Sequence, residues 1–295
     1  MAKYLIVNAD DFGMCHSANE AVMDLFRDGK IFSSTIMMPC PAAREAVDFS
    51  IENPQYAIGV HLTMTSEWRT YRWKPLSPGK SLLDEYGYMW HESDDVGHHA
   101  KLKDLENEVR AQIEYAHALG MKPSHIDNHM GSLYGHETGR LSLLDMTLRV
   151  MGEYGYAYRL YTDAAPSVTP AGIPYPVYKA SSYITRALAK KYNVIMPDFL
   201  LFPDWTDDLK TSYEHYRETI LKIWTDIPDG ITETFIHPAF DTEELAGITA
   251  THTYRFWEYT LMKDPETHKY LNDHGVTLIS YRDLIAMKQE EKRRK

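Results

Sequence analysis

The stretch Tyr4-Leu5-Ile6-Val7-Asn8-Ala9-Asp10-Asp11-Phe12-Gly13 runs an apolar segment directly into two adjacent carboxylates. The segment reads as a buried strand, Lys3–Asn8. Its carboxyl end is where parallel α/β folds collect the side chains that meet ligands. A turn with Asp10 or Asp11 as an Asx or helix-capping residue accounts for an isolated Asp pair as well. The rest of the chain has to separate these readings.

Outward from this stretch, short β-branched or aromatic runs alternate with longer amphipathic ones, the pattern of repeated β/α units around a mainly parallel sheet. Seven strands are predicted: Lys3–Asn8, Phe32–Met38, Ala57–Thr63, Pro123–His129, Gly155–Tyr161, Ile231–His237 and Val276–Ser280. Their near-continuous apolar character implies cover on both faces. The first helix carries a capping-box spacing at Ser17 and Glu20, an apolar face of Ala21, Val22, Leu25 and Phe26, and Gly29 as its stop. Leu102, Leu105, Val109, Ile113, Ala116 and Leu119 repeat at helical spacing before Gly120. Further helices are predicted over 141–153, 181–192, 209–225, 254–272 and 281–290. Two long insertions, near 64–99 and 164–178, follow strands and should rise over one rim. No linker composition divides the chain, so one α/β domain over 1–295, a distorted (β/α) barrel, is the expected architecture.

Composition narrows the function. The 295 residues are 44% hydrophobic and 25% charged, with no apolar run long enough to span a membrane. A net charge of −11 disfavours nonspecific binding to nucleic acid, and the basic run Lys292-Arg293-Arg294-Lys295 reads as a solvated tail. Cys15 and Cys40 have no metal or redox spacing. With no secretory leader before the first strand, a cytoplasmic location is expected.

Four predicted strand ends carry chemistry: Asp10 and Asp11; His61; His125, Asp127 and His129; and His237. The alternation of a regular strand places His125, Asp127 and His129 on one face. A catalytic divalent metal takes about three His or carboxylate ligands and leaves a position open. A single buried histidine, its ring nitrogens satisfied by hydrogen bonds, needs no metal. Four such strand ends on one rim favour a metal-assisted site, and spacing alone does not choose its ligands.

Asn8-Ala9-Asp10-Asp11-Phe12-Gly13, Gly59-Val60-His61-Leu62, His125-Ile126-Asp127-Asn128-His129 and His237-Pro238, in this order, resemble the YdjC-like carbohydrate deacetylase family, which includes chitooligosaccharide deacetylases. The resemblance spans nearly the whole chain. It implies a distorted (β/α) barrel, a homodimer, and a metal-dependent hydrolase that removes acetyl groups from N-acetylated sugars. By the same resemblance Asp11, His61 and His125 are the metal ligands, Asp10 is the catalytic base and His237 the catalytic acid. Amide hydrolysis needs an activated water, stabilisation of the oxyanion and a proton for the departing amine, and this set can meet each need. Two imidazoles and a carboxylate suit Zn²⁺, Co²⁺ or Mn²⁺ better than Mg²⁺, which binds through additional waters.

Supporting roles are open at four positions. Asp127 orients a ligand histidine, contacts substrate or is a solvated strand-end aspartate; Arg159 pairs with Asp10 or binds substrate hydroxyls; His129 is an outer ligand or a substrate contact; Glu233 shares the His237 face or closes an ion pair with a barrel arginine. Trp68, Tyr71, Trp73, Tyr88 and Trp90 either stack on sugar rings or form a satellite core within the first insertion. Two readings compete with the deacetylase: another barrel metallohydrolase such as a phosphodiesterase, and a noncatalytic sugar-binding protein.

Overall fold

The computed structural model describes residues 2–135, 138–202 and 208–294. Seven strands, β1 Lys3–Phe12, β2 Ser33–Ile36, β3 Ala57–Leu62, β4 Ile126–Asn128, β5 Phe199–Leu200, β6 Gly230–Ile236 and β7 Val276–Leu278, form one sheet. Around them lie α1 His16–Arg27, α2 Ala43–Glu52, α3 Ser93–His99, α4 Leu102–Ala118, α5 Leu141–Tyr154 and α6 Tyr175–Tyr192. The chain continues with α7 Tyr213–Thr225, α8 Glu243–Ile248, α9 His252–Lys263, α10 Pro265–Asp273 and α11 Tyr281–Arg294.

Among the described residues every pairing between these strands is parallel, in the order β4-β3-β2-β1-β6-β5 with β7 also on β1. β1 is the axis. β6 pairs along Lys3–Ala9, while the other edge is shared between β7 at Lys3–Leu5 and β2 from Asn8 onward. The sheet curls into the expected distorted barrel. Its apolar strand residues, among them Leu5, Ile6, Ile58, Val60 and Ile126, are all buried, as strands covered on both faces must be.

The distortion is local. The expected strand Gly155–Tyr161 is reduced to a bridge at Tyr158, and Gly155 instead ends α5 in the left-handed conformation at φ 77°. Single hydrogen bonds then carry the wall onward: Ile126 N to the Ala157 carbonyl, Arg159 N to the Ile126 carbonyl, and Tyr158 N to the Ile195 carbonyl. The two-residue β5, inside the short apolar run Phe199-Leu200-Leu201-Phe202, was not among the expected strands and pairs with β6 at the end of the sheet.

Local signals are followed where the chain itself satisfies them. The α1 face of Ala21, Val22, Leu25 and Phe26 is buried, and Gly29 leaves the helix at φ 63°. Its expected capping box does not form. The N-cap is Cys15, and Glu244 of α8 instead accepts from the backbone N–H groups of His16 (3.3 Å) and Ser17 (2.8 Å). The helix expected over 254–272 breaks into α9 and α10 at Pro265, which lacks an N–H; Asp264 caps the new start by accepting from Glu266 N. The segment expected to be helical from 209 begins at Tyr213, capped by Ser212. Both cysteines are free and buried.

β3 and β4 approach so closely at Gly59 that a Cβ there would lie 2.2 Å from the His125 carbonyl oxygen. Gly59→Ala should therefore destabilise the fold by about 1–3 kcal/mol or more, read as a lowered urea midpoint with an unchanged slope.

Candidate active site

Adjacent residues of a regular strand face opposite ways, yet Asp10 and Asp11 both line one cavity of about 530 Å³ at the carboxyl ends of the strands. A bulge reconciles the two facts. The β1–β2 register slips between Ala9 and Phe12, and Asp11 takes a left-handed φ of 61°. A non-glycine residue held there stores strain, of the kind that concentrates at functional sites.

Asp10 is clamped. Arg159 donates to its two carboxylate oxygens from Nη1 and Nη2, each at 2.6 Å, and Asn8 Nδ2 donates to Oδ1 at 2.8 Å. The same guanidinium reaches Asp127 Oδ2 at 2.8 Å and Glu233 Oε1 at 2.7 Å. All four groups are buried. Burial opposes ionisation of Asp10, but Arg159, with His61 and His237, holds its carboxyl below the ordinary aspartate range.

Asp11 faces a different set. His61 Nε2 lies 3.5 Å and His129 Nδ1 3.3 Å from its Oδ1, while Arg255 Nη2 lies 2.8 Å from Oδ2. Both oxygens are buried, and neither makes an aligned hydrogen bond. The outer nitrogens of the two imidazoles are already engaged: His61 Nδ1 with Asp127 at 2.7 Å and His129 Nε2 with Glu67 at 3.0 Å. Each ring that donates to its carboxylate turns a lone pair toward Asp11, an arrangement that calls for a proton or a cation between them.

One donor atom each from Asp11, His61 and His129 lies within 4.8 Å of the others. The residues fit a divalent cation: the donor set is right, the outer nitrogens are fixed, and the buried Asp11 Oδ1 has no aligned hydrogen bond. Without an ion, His129 holds its own proton tightly. Burial opposes this, but Glu67 and Asp11 push its pKa up to about 10. Asp10, His61 and Asp127 form a second group of the same compactness. Arg159 and His61 Nδ1 already occupy those carboxylates, so it is the poorer fit.

His125, expected beside Asp11 and His61, is placed elsewhere. It precedes β4, its Nε2 meets Asn8 Oδ1 at 3.1 Å, its Nδ1 meets Ser124 Oγ at 2.8 Å, and its ring stacks on Tyr281 with centroids 3.6 Å apart. Burial and the nearby Arg159 keep this imidazole well below its usual pKa. The single face expected for His125, Asp127 and His129 fails because β4 ends at Asn128. The chain then enters a tight turn with Met130 at φ 53°, which swings His129 toward Asp11.

His237 closes the far wall of the cavity, after β6. Glu258 of α9 holds it by accepting from its backbone N–H at 2.8 Å, with Oε1 3.8 Å from Nδ1. Burial works against the imidazolium, yet Glu258 and Asp11 raise the His237 pKa above the usual value. Of the insertion's aromatic residues, Trp68 alone lines the cavity. Trp73 is buried in a satellite core with Met14, Met37 and Met89. Sequence reasoning did not single out Glu67, Arg255, Glu258 or Tyr281. Arg255 and Glu258 stand three apart on one helix, a spacing common on any charged helix.

Glu233 yields a pH prediction. Burial lifts its pKa from 4.5 to about 7 in spite of Arg159. Binding its proton more tightly when folded, it contributes stability that is complete below about 4.5 and fades as pH rises toward 7. In urea denaturation from pH 5 to 8, wild type should lose stability relative to Glu233→Gln by up to about 1.4 kcal/mol per pH unit. An unchanged difference across that range would contradict the assignment.

Comparisons with known proteins place the chain in a family. A carbohydrate deacetylase of Thermoanaerobacter pseudethanolicus is 27% identical over 286 residues, covering 95% of this chain and 98% of its own. One from Geobacillus stearothermophilus is 28% identical, covering 97% and 100%. A solved structure from Enterococcus faecalis V583 superposes with a TM-score of 0.74 at 28% identity, over 96% of this chain and 99% of that one. The family model for YdjC-like protein matches residues 4–273, and the chain belongs to that family.

Proposed function

We propose that this protein is a metal-dependent hydrolase that removes the acetyl group from an N-acetylated sugar. The observation that carries the reading is the division of labour between adjacent carboxylates: Asp10 is held ionised by Arg159, while Asp11 turns Oδ1 between two imidazoles with no aligned hydrogen bond and Oδ2 toward Arg255. Relatives named carbohydrate deacetylase over nearly their whole length support it. A chitooligosaccharide deacetylase of Yersinia enterocolitica, 34% identical over 134 residues, points to an amino-sugar substrate.

Asp11, His61 and His129 would hold the cation. When bound, a divalent ion supplies electrophilic polarisation of the acetyl carbonyl and lowers the pKa of water. Zn²⁺, Co²⁺ or Mn²⁺ suit this donor set better than Mg²⁺.

The chain's own groups do the rest. Asp10, ionised at neutral pH, accepts the proton of the attacking water at its carboxylate. Arg159 holds that carboxylate in place, so little is lost to reorienting the base. His237, its pKa raised by Glu258 and Asp11, donates as imidazolium to the sugar nitrogen as the C–N bond breaks. Trp68 offers a flat apolar face to a sugar ring. The principal apolar cluster runs from Leu5 to Val276, which supports reading the chain as one barrel domain.

Purified protein with added Zn²⁺, Co²⁺ or Mn²⁺ should release acetate from N-acetylated amino sugars. Failure over a panel of such sugars, with metal demonstrably bound, overturns the reading. Asp10→Asn should lower kcat by about 10²–10⁴-fold and leave metal affinity unchanged.

The ligand set is tested separately, by chelator competition. His129→Ala should weaken metal binding by more than the roughly 10–100-fold of an outer-shell change. His125→Asn should bind metal as wild type does; the opposite ranking restores His125 as a ligand.

A further inference from the structure

Tyr281 opens α11, far in sequence from every group proposed to do chemistry, yet it is fully buried against Glu233 and His125. Its backbone is fixed from two sides. Ile279 N donates to the Leu5 carbonyl at 3.0 Å, and Tyr281 N donates to Ser33 Oγ at 3.0 Å, tying the residue to β1 and β2. Ser280 and Asp283 lock the start of the helix through Ser280 N and Oγ, which donate to Asp283 Oδ2 at 2.8 and 2.7 Å.

Two chains of contacts lead from this side chain, and both end on the Asp10 carboxylate. In the first, the Tyr281 hydroxyl donates to Glu233 Oε2. Glu233 Oε1 accepts from Arg159 Nε at 2.7 Å, and Arg159 grips both Asp10 oxygens at 2.6 Å. In the second, the Tyr281 ring lies on His125, with an interplanar angle of 9°. His125 Nε2 meets Asn8 Oδ1 at 3.1 Å, and Asn8 Nδ2 donates to Asp10 Oδ1 at 2.8 Å. Tyr281, Glu233, Arg159, Asp10, Asn8 and His125 thus form a closed ring of contacts, every member buried.

We infer that Tyr281 is a positioning residue for the Asp10 base, setting its orientation through Glu233 and Arg159 on one side and through His125 and Asn8 on the other. The inference rests on the deacetylase reading for its kinetic consequence. The physical basis is rigidity. A base must be held within a fraction of an ångström of its productive geometry, and a displacement of about 1 Å costs on the order of 10²-fold in rate. Arg159 alone does not provide this, because it is shared among Asp10, Asp127 and Glu233. Its direction depends on where Glu233 is held, and Tyr281 supplies the other bond to Glu233.

The ring also accounts for His125. Stacked on a phenol and bonded through both nitrogens, it acts as a spacer that transmits the position of α11 to Asn8.

The decisive variant is Tyr281→Phe, which keeps the ring on His125 and removes the hydroxyl. We expect kcat for acetate release to fall by about 10–100-fold, with KM and metal affinity within about twofold of wild type. Glu233→Gln breaks the same arm and should give a comparable kcat loss; the double variant should be no slower than the worse single one. A kcat like that of wild type in Tyr281→Phe, or multiplicative losses in the double variant, overturns the inference.

A crystal structure of Tyr281→Phe supplies a readout that does not depend on turnover. The Asp10 carboxylate should be displaced or split between positions while Asp11, His61 and His129 stay in place. An unmoved Asp10 overturns the inference whatever the activity. Wild-type protein that releases no acetate, together with a displaced Asp10 in the variant, would remove the deacetylase reading and leave the positioning role standing.

Discussion

The guanidinium of Arg159 is the constraint on which the site depends. Buried in the cavity wall, it meets Asp10, Asp127 and Glu233, carboxylates brought from three strands. Burying charges costs several kcal/mol per ion, and the cost is recovered only where hydrogen bonds are well made. Each partner has a second tie: Asp10 to Asn8, Asp127 to His61, Glu233 to Tyr281. Such a buried cluster is weak evidence for stability, and its ties fix the position of each carboxylate.

From that cluster the differentiation of neighbouring carboxylates follows. Arg159 satisfies Asp10 and leaves Asp11 to the imidazoles and to Arg255. Asp127 transmits the same order one step further by fixing the ring of His61, so that Nε2 faces Asp11. The bulge in β1 makes this geometry possible, because in an even pleat one of the two aspartates would face away from the cavity. The left-handed backbone of Asp11 is a cost carried in exchange for two adjacent carboxylates with separate surroundings.

The first insertion has a double character that neither reading of its aromatic residues contained alone. Trp73 anchors a satellite core, which holds Trp68 and Glu67 over the cavity. Glu67 then fixes His129. A loop rooted by its own small core can present a carboxylate as firmly as a strand does, and this one supplies an outer partner to the candidate metal set.

Much was legible in the chain itself. Apolar runs ending in polar residues located six of the strands, and helical periodicity located α1, α4 and α5, because both signals are local consequences of backbone repeat and burial. The same runs placed Asp10, Asp11, His61 and His237 on a common rim. What the sequence did not contain was where the side chains of His125 and His129 point. That depends on where β4 stops, on the left-handed turn at Met130, and on Glu67 and Tyr281, which approach from distant segments. The lost strand near Tyr158, the external cap on α1 and the role of α11 have the same origin. Residue types and their alternation determined which chemistry was present. The direction in which each side chain points is set by packing between elements far apart in sequence, and only the tertiary structure decided it.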